Sequence, residues 1–244
     1  MRIKLPGQKY KDSGRRGKSK NVSKNVISEK SKFAIVEAYK SARTNIVFSL
    51  SACNKKAFAV TSYSKGEGKS TASANLAISF SKMGKKVILV DCDLRRPNLH
   101  NILKIDNHIG FSDMLGKMVV FEEIVHRDVL PCLDVVTSGT IPPNPSELLC
   151  STDVASFVEK LYEEYDYIIF DTPPIGVVAD SLLLKDYIAG YMIVVRERVT
   201  THGDIENLLS SIKLADSKPL GFLKVGVTHE GKRNKYGGYY YQYY

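Results

Sequence analysis

Apolar and polar positions alternate along the chain between two kinds of segment. Short, mostly apolar runs occur at 58–61, 87–90, 133–136, 167–170, 191–195 and 220–227. A run with little polar alternation reads as a strand buried on both faces, as in a parallel sheet. Between these runs, apolar residues at three- and four-residue spacing predict helices over 31–50, 72–83, 151–164, 178–187 and 204–215. Shorter helices are expected around 111–115 and 121–125. Gly84 suits a left-handed helix cap, and Ser146 and Ser151 are candidate caps for the 151–164 helix. Residues 138–145, Ser-Gly-Thr-Ile-Pro-Pro-Asn-Pro, read as a stiff loop, because proline fixes φ and removes a donor. Strands alternating with helices predict an α/β, doubly wound, mostly parallel sheet of about six to eight strands, with right-handed crossovers. No internal repeat is visible.

The first strand run opens onto a glycine-rich segment. Residues 61–71 read Thr-Ser-Tyr-Ser-Lys-Gly-Glu-Gly-Lys-Ser-Thr. Strand, glycine loop and Gly-Lys-Ser at a helix start make a phosphate-binding loop. Glycines let backbone N–H groups approach phosphate oxygens, and a helix N-terminus favours negative charge. The cradle is Ser64, Lys65, Gly66, Glu67, Gly68, Lys69, Ser70 and Thr71. Lys69 would reach the β- and γ-phosphates, and the Ser70 hydroxyl would ligate Mg²⁺. The common pattern places glycine where this chain has Tyr63.

Two more strand runs end in acids: Asp91-Cys92-Asp93-Leu94-Arg95 and Asp171-Thr172-Pro173-Pro174. In doubly wound sheets, ligands bind beyond the carboxyl ends of the strands. Ser70, Asp93 and Asp171 can hold Mg²⁺ on a nucleotide, directly or through water. A carboxylate is also needed to accept a proton from an attacking hydroxyl. Asp91 is the candidate for that task and Asp93 the reserve. The alternative for any one of these acids is a helix cap or a surface turn. The five histidines are scattered and receive no catalytic role.

Charge changes the picture only once it is located. The net charge is +9, but residues 1–26 hold nine Lys and Arg against a single acid, Asp12. The rest of the chain is therefore nearly neutral. The division expected is a basic, disordered tail over 1–28, a folded domain over 29–228 and a flexible tyrosine-rich tail over 229–244. The basic tail reads as a solubilising segment or as a weak attraction to anionic lipid headgroups. A DNA-binding arm ranks below both, and no nucleic acid is expected as a partner. No apolar run approaches the ~20 residues of a membrane span, and no signal peptide is read at the start. The four cysteines lack C-x-x-C spacing and read as reduced cytosolic thiols.

The end of the chain is unusual. Tyr236, Tyr239, Tyr240, Tyr241, Tyr243 and Tyr244 place six of the 14 tyrosines within nine residues. No periodic face there offers itself for burial. The stretch is either a low-complexity end or a set of hydroxyls with a chemical role. Within the 31–50 helix, Glu37, Lys40 and Arg43 fall at three-residue spacing. They read as an intrahelical pair or as an intersubunit contact.

Taken together, these motifs resemble those of the bacterial tyrosine kinases, of the type found with capsular and exopolysaccharide biosynthesis. Lys69-Ser70-Thr71, the run 87–93 with Arg95, and 167–174 resemble that family's Walker A, A′ and B motifs, a deviant-Walker P-loop fold. Pro142-Pro143-Asn144-Pro145 followed by Ser146-Glu147-Leu148-Leu149, and the tyrosine tail, resemble two further family segments. The resemblance covers residues from about 30 to the end. It implies Mg-ATP as cofactor, Lys69, Asp91 and Asp93 as catalytic residues, and transfer in trans to the tail tyrosines. It implies control of polysaccharide polymerisation or export. It also implies a membrane-anchored adaptor that activates the kinase and recruits it from the cytoplasm to the inner membrane face, and a cognate tyrosine phosphatase. A homo-oligomeric ring is implied by the family's E-x-x-R-x-x-R motif, here Glu37, Lys40 and Arg43, with lysine replacing the middle arginine. Two alternatives remain: a switch ATPase akin to partition and cell-division-site ATPases, and an ATP-gated scaffold of the polysaccharide machinery. The first of these usually carries a signature lysine where this chain has Ser64.

Overall fold

The computed structural model describes residue 23 and residues 26–227. The tyrosine tail and most of the basic segment therefore lie outside the described residues. Among the described residues, seven strands form one sheet: β1 (Ala57–Ser62), β2 (Val87–Asp91), β3 (Val125–Leu130), β4 (Leu133–Val136), β5 (Tyr167–Asp171), β6 (Tyr191–Arg196) and β7 (Pro219–Val225). Their order is β3-β4-β2-β5-β1-β6-β7. Every pairing is parallel except that of β3 with β4. Among the described residues, eight α-helices accompany them: α1 (Phe33–Cys53), α2 (Lys69–Ser81), α3 (Leu99–Leu103), α4 (Phe111–Leu115), α5 (Phe121–Ile124), α6 (Pro145–Leu149), α7 (Asp153–Glu164) and α8 (His202–Leu214). A 3₁₀ helix spans Ala179–Tyr187.

The apolar runs split cleanly between the two faces of the sheet, because side chains of a strand alternate. Phe58, Val60, Val87, Leu89 and Ile169 pack with Ile46 and Leu50 of α1, Leu76 and Phe80 of α2 and Leu103 of α3. Ala57, Ala59, Ile88, Val90, Ile168 and Phe170 pack with Phe111 of α4, Phe157 and Leu161 of α7 and Leu208 and Ile212 of α8. Both faces are covered, so neither selects polar residues, and the strand signal in the sequence is a continuous apolar run. Rings of Phe58, Phe80 and Tyr167 stack in a tilted series with centroids 5.7 and 4.7 Å apart, which fixes α2 against the sheet.

Several boundaries differ from the sequence reading. Helix α2 begins at Lys69, three residues earlier than periodicity placed it. Gly68 takes the left-handed conformation (φ 94°) and starts the helix directly, and Ala72 N–H donates to its carbonyl at 2.9 Å. Strand β3 was not expected, since residues up to 125 read as helix. It is an edge strand with only its first residue buried, so burial leaves no periodic mark on it. Asp134 holds it instead, accepting from the Asp128 N–H at 2.8 Å and from Arg127 at 3.0 Å. Ser151 does not cap α7: the helix starts at Asp153 with no side-chain cap. Ser146 lies inside α6, where Pro145 starts the helix, and its hydroxyl is used elsewhere. Helix α8 starts two residues early because Thr201 and Asp204 form a reciprocal capping box.

Candidate active site

The glycine loop crosses from the end of β1 to the start of α2. Gly66 and Gly68 both have φ in the left-handed region, 80° and 94°, where side chains with a Cβ are strained. The loop is braced from both sides. The Glu67 carboxylate is buried, accepts the Ser64 N–H at 2.8 Å through Oε2, and takes the Thr200 hydroxyl on Oε1. Arg196 Nη1 donates to the Gly66 carbonyl at 2.8 Å. Glu67 therefore holds the loop's shape from within. Tyr63, standing where glycine is common, packs its ring on Gly176: a Cβ at 176 would lie 2.6 Å from the ring. No side chain caps α2 and its first turn carries no acid, so its N-terminal dipole faces the loop unopposed.

Beside the loop, β2 and β5 bring their terminal acids into register, Asp91 opposite Asp171. Asp93 Oδ2 pairs with Lys69 Nζ at 2.7 Å, with side chains only 5% and 10% exposed. Its other oxygen accepts the Arg96 N–H at 3.0 Å. Asp91 is fully buried and turned toward the backbone, accepting N–H groups of Asp93 (3.1 Å), Leu99 (3.2 Å) and Asn98 (3.3 Å). Asp171 is also fully buried; Oδ1 accepts the Ser73 hydroxyl at 2.9 Å, and Oδ2 has no hydrogen-bond partner. Three carboxylates thus surround one ammonium. Burial raises the pKa of Asp91, and the charge of Asp171 raises it further, against the Leu99 N–H. Burial likewise raises Asp171, against the pull of Lys69 and the hydroxyls of Ser70 and Ser73. Burial alone would depress the Lys69 ammonium, but the carboxylates of Asp171, Asp93 and Asp91 lift it above its ordinary value.

Above these groups opens a cleft of about 950 Å³. Of the predicted cradle, Ser64, Lys65, Gly66, Gly68, Lys69, Ser70 and Thr71 line it, as does Asp93. Glu67, Asp91 and Asp171 stand behind the wall. Arg95, Arg96 and Arg196 and the apolar residues Pro97, Pro174 and Val177 are among the others that line it. Sequence reasoning missed Arg96, Arg196 and Val177, and with them Asp180. Asp180 is 4% exposed and takes Arg95 Nε at 2.7 Å. Only the neighbouring D-x-D-x-R motif could have pointed to Arg96; nothing in the spacing marks the other three.

Glu37, Lys40 and Arg43 sit on α1, apart from this cleft. Lys40 pairs with Glu37 at 2.8 Å on the exposed face, whereas Arg43 turns inward and donates to the Ser79 carbonyl of α2. The six tail tyrosines lie outside the described residues. All four cysteines are free thiols.

The family described as an AAA domain matches residues 55–223. The chain is 37% identical over 226 residues to the tyrosine-protein kinase YwqD of Bacillus subtilis (strain 168), covering 92% of this chain and 95% of that protein. Among solved structures, the chimerical protein CapA2B2 superposes with a TM-score of 0.76 at 33% identity, over 80% of this chain and 86% of the other. The kinase domain of the Escherichia coli tyrosine kinase ETK gives 0.77 at 27% identity, over 85% and 80%.

Proposed function

The chain belongs to the bacterial tyrosine kinases, and on that footing we propose that it transfers phosphate from Mg-ATP to tyrosines of the tail of a neighbouring copy. The buried Lys69–Asp93 pair at the mouth of α2 carries this reading, because it sets a cation and a carboxylate side by side where a phosphoryl group meets its acceptor. The loop N–H groups and Lys69 hold the β- and γ-phosphates. As phosphate oxygens take the ammonium, Asp93 is released from it.

Mg²⁺ fits this site. The candidate donors Ser70, Asp93 and Asp171 are all oxygens, and Asp171 Oδ2 is buried without a donor. Among the described residues, no His, Cys, Asp and Glu group of three or more is arranged to hold a metal alone. That agrees with a cation that takes one or two carboxylates and shares the phosphates. When bound, it offsets negative charge on the phosphates.

In the transfer, the tyrosine phenolic oxygen bonds to the γ-phosphorus while the bond to the bridging oxygen breaks and ADP leaves with that electron pair. The phenolic proton passes to a carboxylate. The lining position of Asp93 favours it over the more deeply buried Asp91 as that acceptor. Asp91 then acts by holding the turn at 93–99. The acceptors are Tyr236, Tyr239, Tyr240, Tyr241, Tyr243 and Tyr244. No helix among the described residues is long and apolar enough to cross a membrane. We assign the kinase to the cytoplasmic membrane face, recruited by a membrane-anchored adaptor, opposed by a tyrosine phosphatase, and acting on capsular or exopolysaccharide polymerisation and export.

Incubation with Mg-ATP followed by phosphopeptide mass spectrometry tests this. Phosphotyrosine should accumulate on residues 236–244 and vanish in Lys69→Ala. Nucleotide turnover with no phosphotyrosine would instead favour a switch ATPase or a gated scaffold.

A further inference from the structure

Resting on the kinase reading, we infer that Arg95 and Val177 form the subsite for the acceptor tyrosine, with Asp180 and Ser146 as positioning residues. Arg95 leaves the turn after β2, whereas the phosphate loop leaves β1. Strand β5 lies between those two strands, so the walls stand about 10 Å apart. The phosphates belong to the loop wall. Arg95 faces the same cleft from the opposite one.

Its guanidinium is held unusually firmly for a group 40% exposed. Nε donates to Asp180 Oδ2 at 2.7 Å, and Nη2 donates to Asp180 Oδ1 at 3.3 Å and to the Ser146 hydroxyl at 2.9 Å. Ser146 in turn donates to Asp180 Oδ1 at 2.8 Å. The three residues come from the turn after β2, from α6 and from the 3₁₀ helix, so one triad ties together three separate segments of the cleft wall. A planar fork fixed along one edge keeps the Nη1 edge in a defined orientation. Nη1 has no partner among the described residues.

In the same cleft, Val177 is 61% exposed on a turn stiffened by Pro173 and Pro174. The N–H groups of Val177 and Val178 both donate to the Pro174 carbonyl. Pro97 adds apolar surface to the same cleft. Apolar cover and a fixed donor within one cleft match a phenol, which has an apolar body and a polar tip. Serine or threonine would reach the donor and leave the apolar cover unused. The cleft volume, near the upper end for a single small-molecule site, leaves room for a side chain beside a nucleotide.

The test uses the full chain with a peptide of residues 236–244 as acceptor. Asp180→Asn, Arg95→Lys and Val177→Ser should each raise KM for the peptide by about tenfold or more, the loss of one charge-assisted contact or of apolar cover. KM for ATP and the thermal shift on adding ADP should stay at the unaltered chain's values. Asp180→Glu, which keeps the carboxylate, should recover most of the loss, and Ser146→Ala should show a smaller rise of the same kind. If Asp180→Asn gives no ADP shift, Ser146→Ala and Val177→Ser carry the decision. An equal rise in KM for ATP, a fall confined to kcat, or an unchanged peptide KM overturns the subsite. Failure of the unaltered chain to phosphorylate the peptide overturns the kinase reading and the subsite with it.

Discussion

Asp171 places Oδ1 on the Ser73 hydroxyl and leaves Oδ2 without a donor in a fully buried position. Burial makes an ionised carboxylate there costly and raises its pKa, with Lys69 offsetting only part of the rise. Asparagine in its place keeps the shape and removes the charge. Asp171→Asn should therefore match or exceed the unaltered chain in thermal stability without ligand. It should also respond to ADP alone, yet gain nothing more from Mg²⁺. In the unaltered chain, Mg²⁺ at a hundredfold excess over its Kd adds about 2.7 kcal/mol, or about 5–10 °C for a chain of this size. A Mg²⁺ shift of equal size in both proteins would remove Asp171 from the metal site. The strand-end acids could be read from the sequence because an apolar run ending in Asp marks the binding edge of a parallel sheet. Their division of labour could not. Asp91 is committed to the N–H groups of Asn98 and Leu99 by the fold of a turn that has no periodic signature. Asp180 lies 85 positions from Arg95, and no spacing rule connects them.

The unit of β1, loop and α2 was legible as a type, and its details were set by tertiary contacts. The glycines and Gly-Lys-Ser announced a phosphate cradle. The absence of the usual glycine at 63 looked like a departure, and the structure supplies its counterpart at Gly176. Tyr63 carries a ring, so the facing turn must carry none: the Gly176 N–H donates to the Tyr63 carbonyl at 3.1 Å, and a Cβ would sit 2.6 Å from that oxygen and from the ring. Because part of the clash is with backbone, rotation of Tyr63 cannot relieve it. Gly176→Ala should cost about 1–3 kcal/mol in unfolding free energy and weaken ADP binding, since the loop must shift with Tyr63. Denaturant titration and ADP calorimetry measure the two effects. Unchanged ADP affinity would show that the loop holds its geometry without this contact. Edge strand β3 illustrates what sequence pattern misses. Only its first residue is buried, and an ion pair and a backbone bond to Asp134 add to the partial cover of Val129 and Leu130.

At the scale of the whole molecule, the question is how α1 serves assembly. Of its three candidate residues, Arg43 already works within the subunit, binding α2 through the Ser79 carbonyl. Removing it weakens the fold whether or not subunits associate. Among the described residues, Glu37 makes its polar contact with Lys40, in an exposed i,i+3 pair worth about 0.3–0.5 kcal/mol, so Glu37→Ala is the cleaner probe. We propose that the outer face of α1, where Phe33 and Phe48 are each 71% exposed, meets a second copy. Glu37→Ala should then leave the melting temperature within about 2 °C while lowering the particle mass in light scattering. Arg43→Ala should lower both. A mass unchanged in Glu37→Ala would return the pair to a local helix contact. Phosphorylation would act on the same equilibrium through charge. Six phosphotyrosines concentrate about −9 to −12 on one nine-residue tail, far from the basic residues 1–26 in the sequence. Several such tails near one cleft repel each other and the carboxylates beside Lys69. Particle mass should therefore fall as phosphate accumulates, and fall less at high salt, where screening shortens the repulsion. A constant mass through full phosphorylation would separate tail chemistry from assembly.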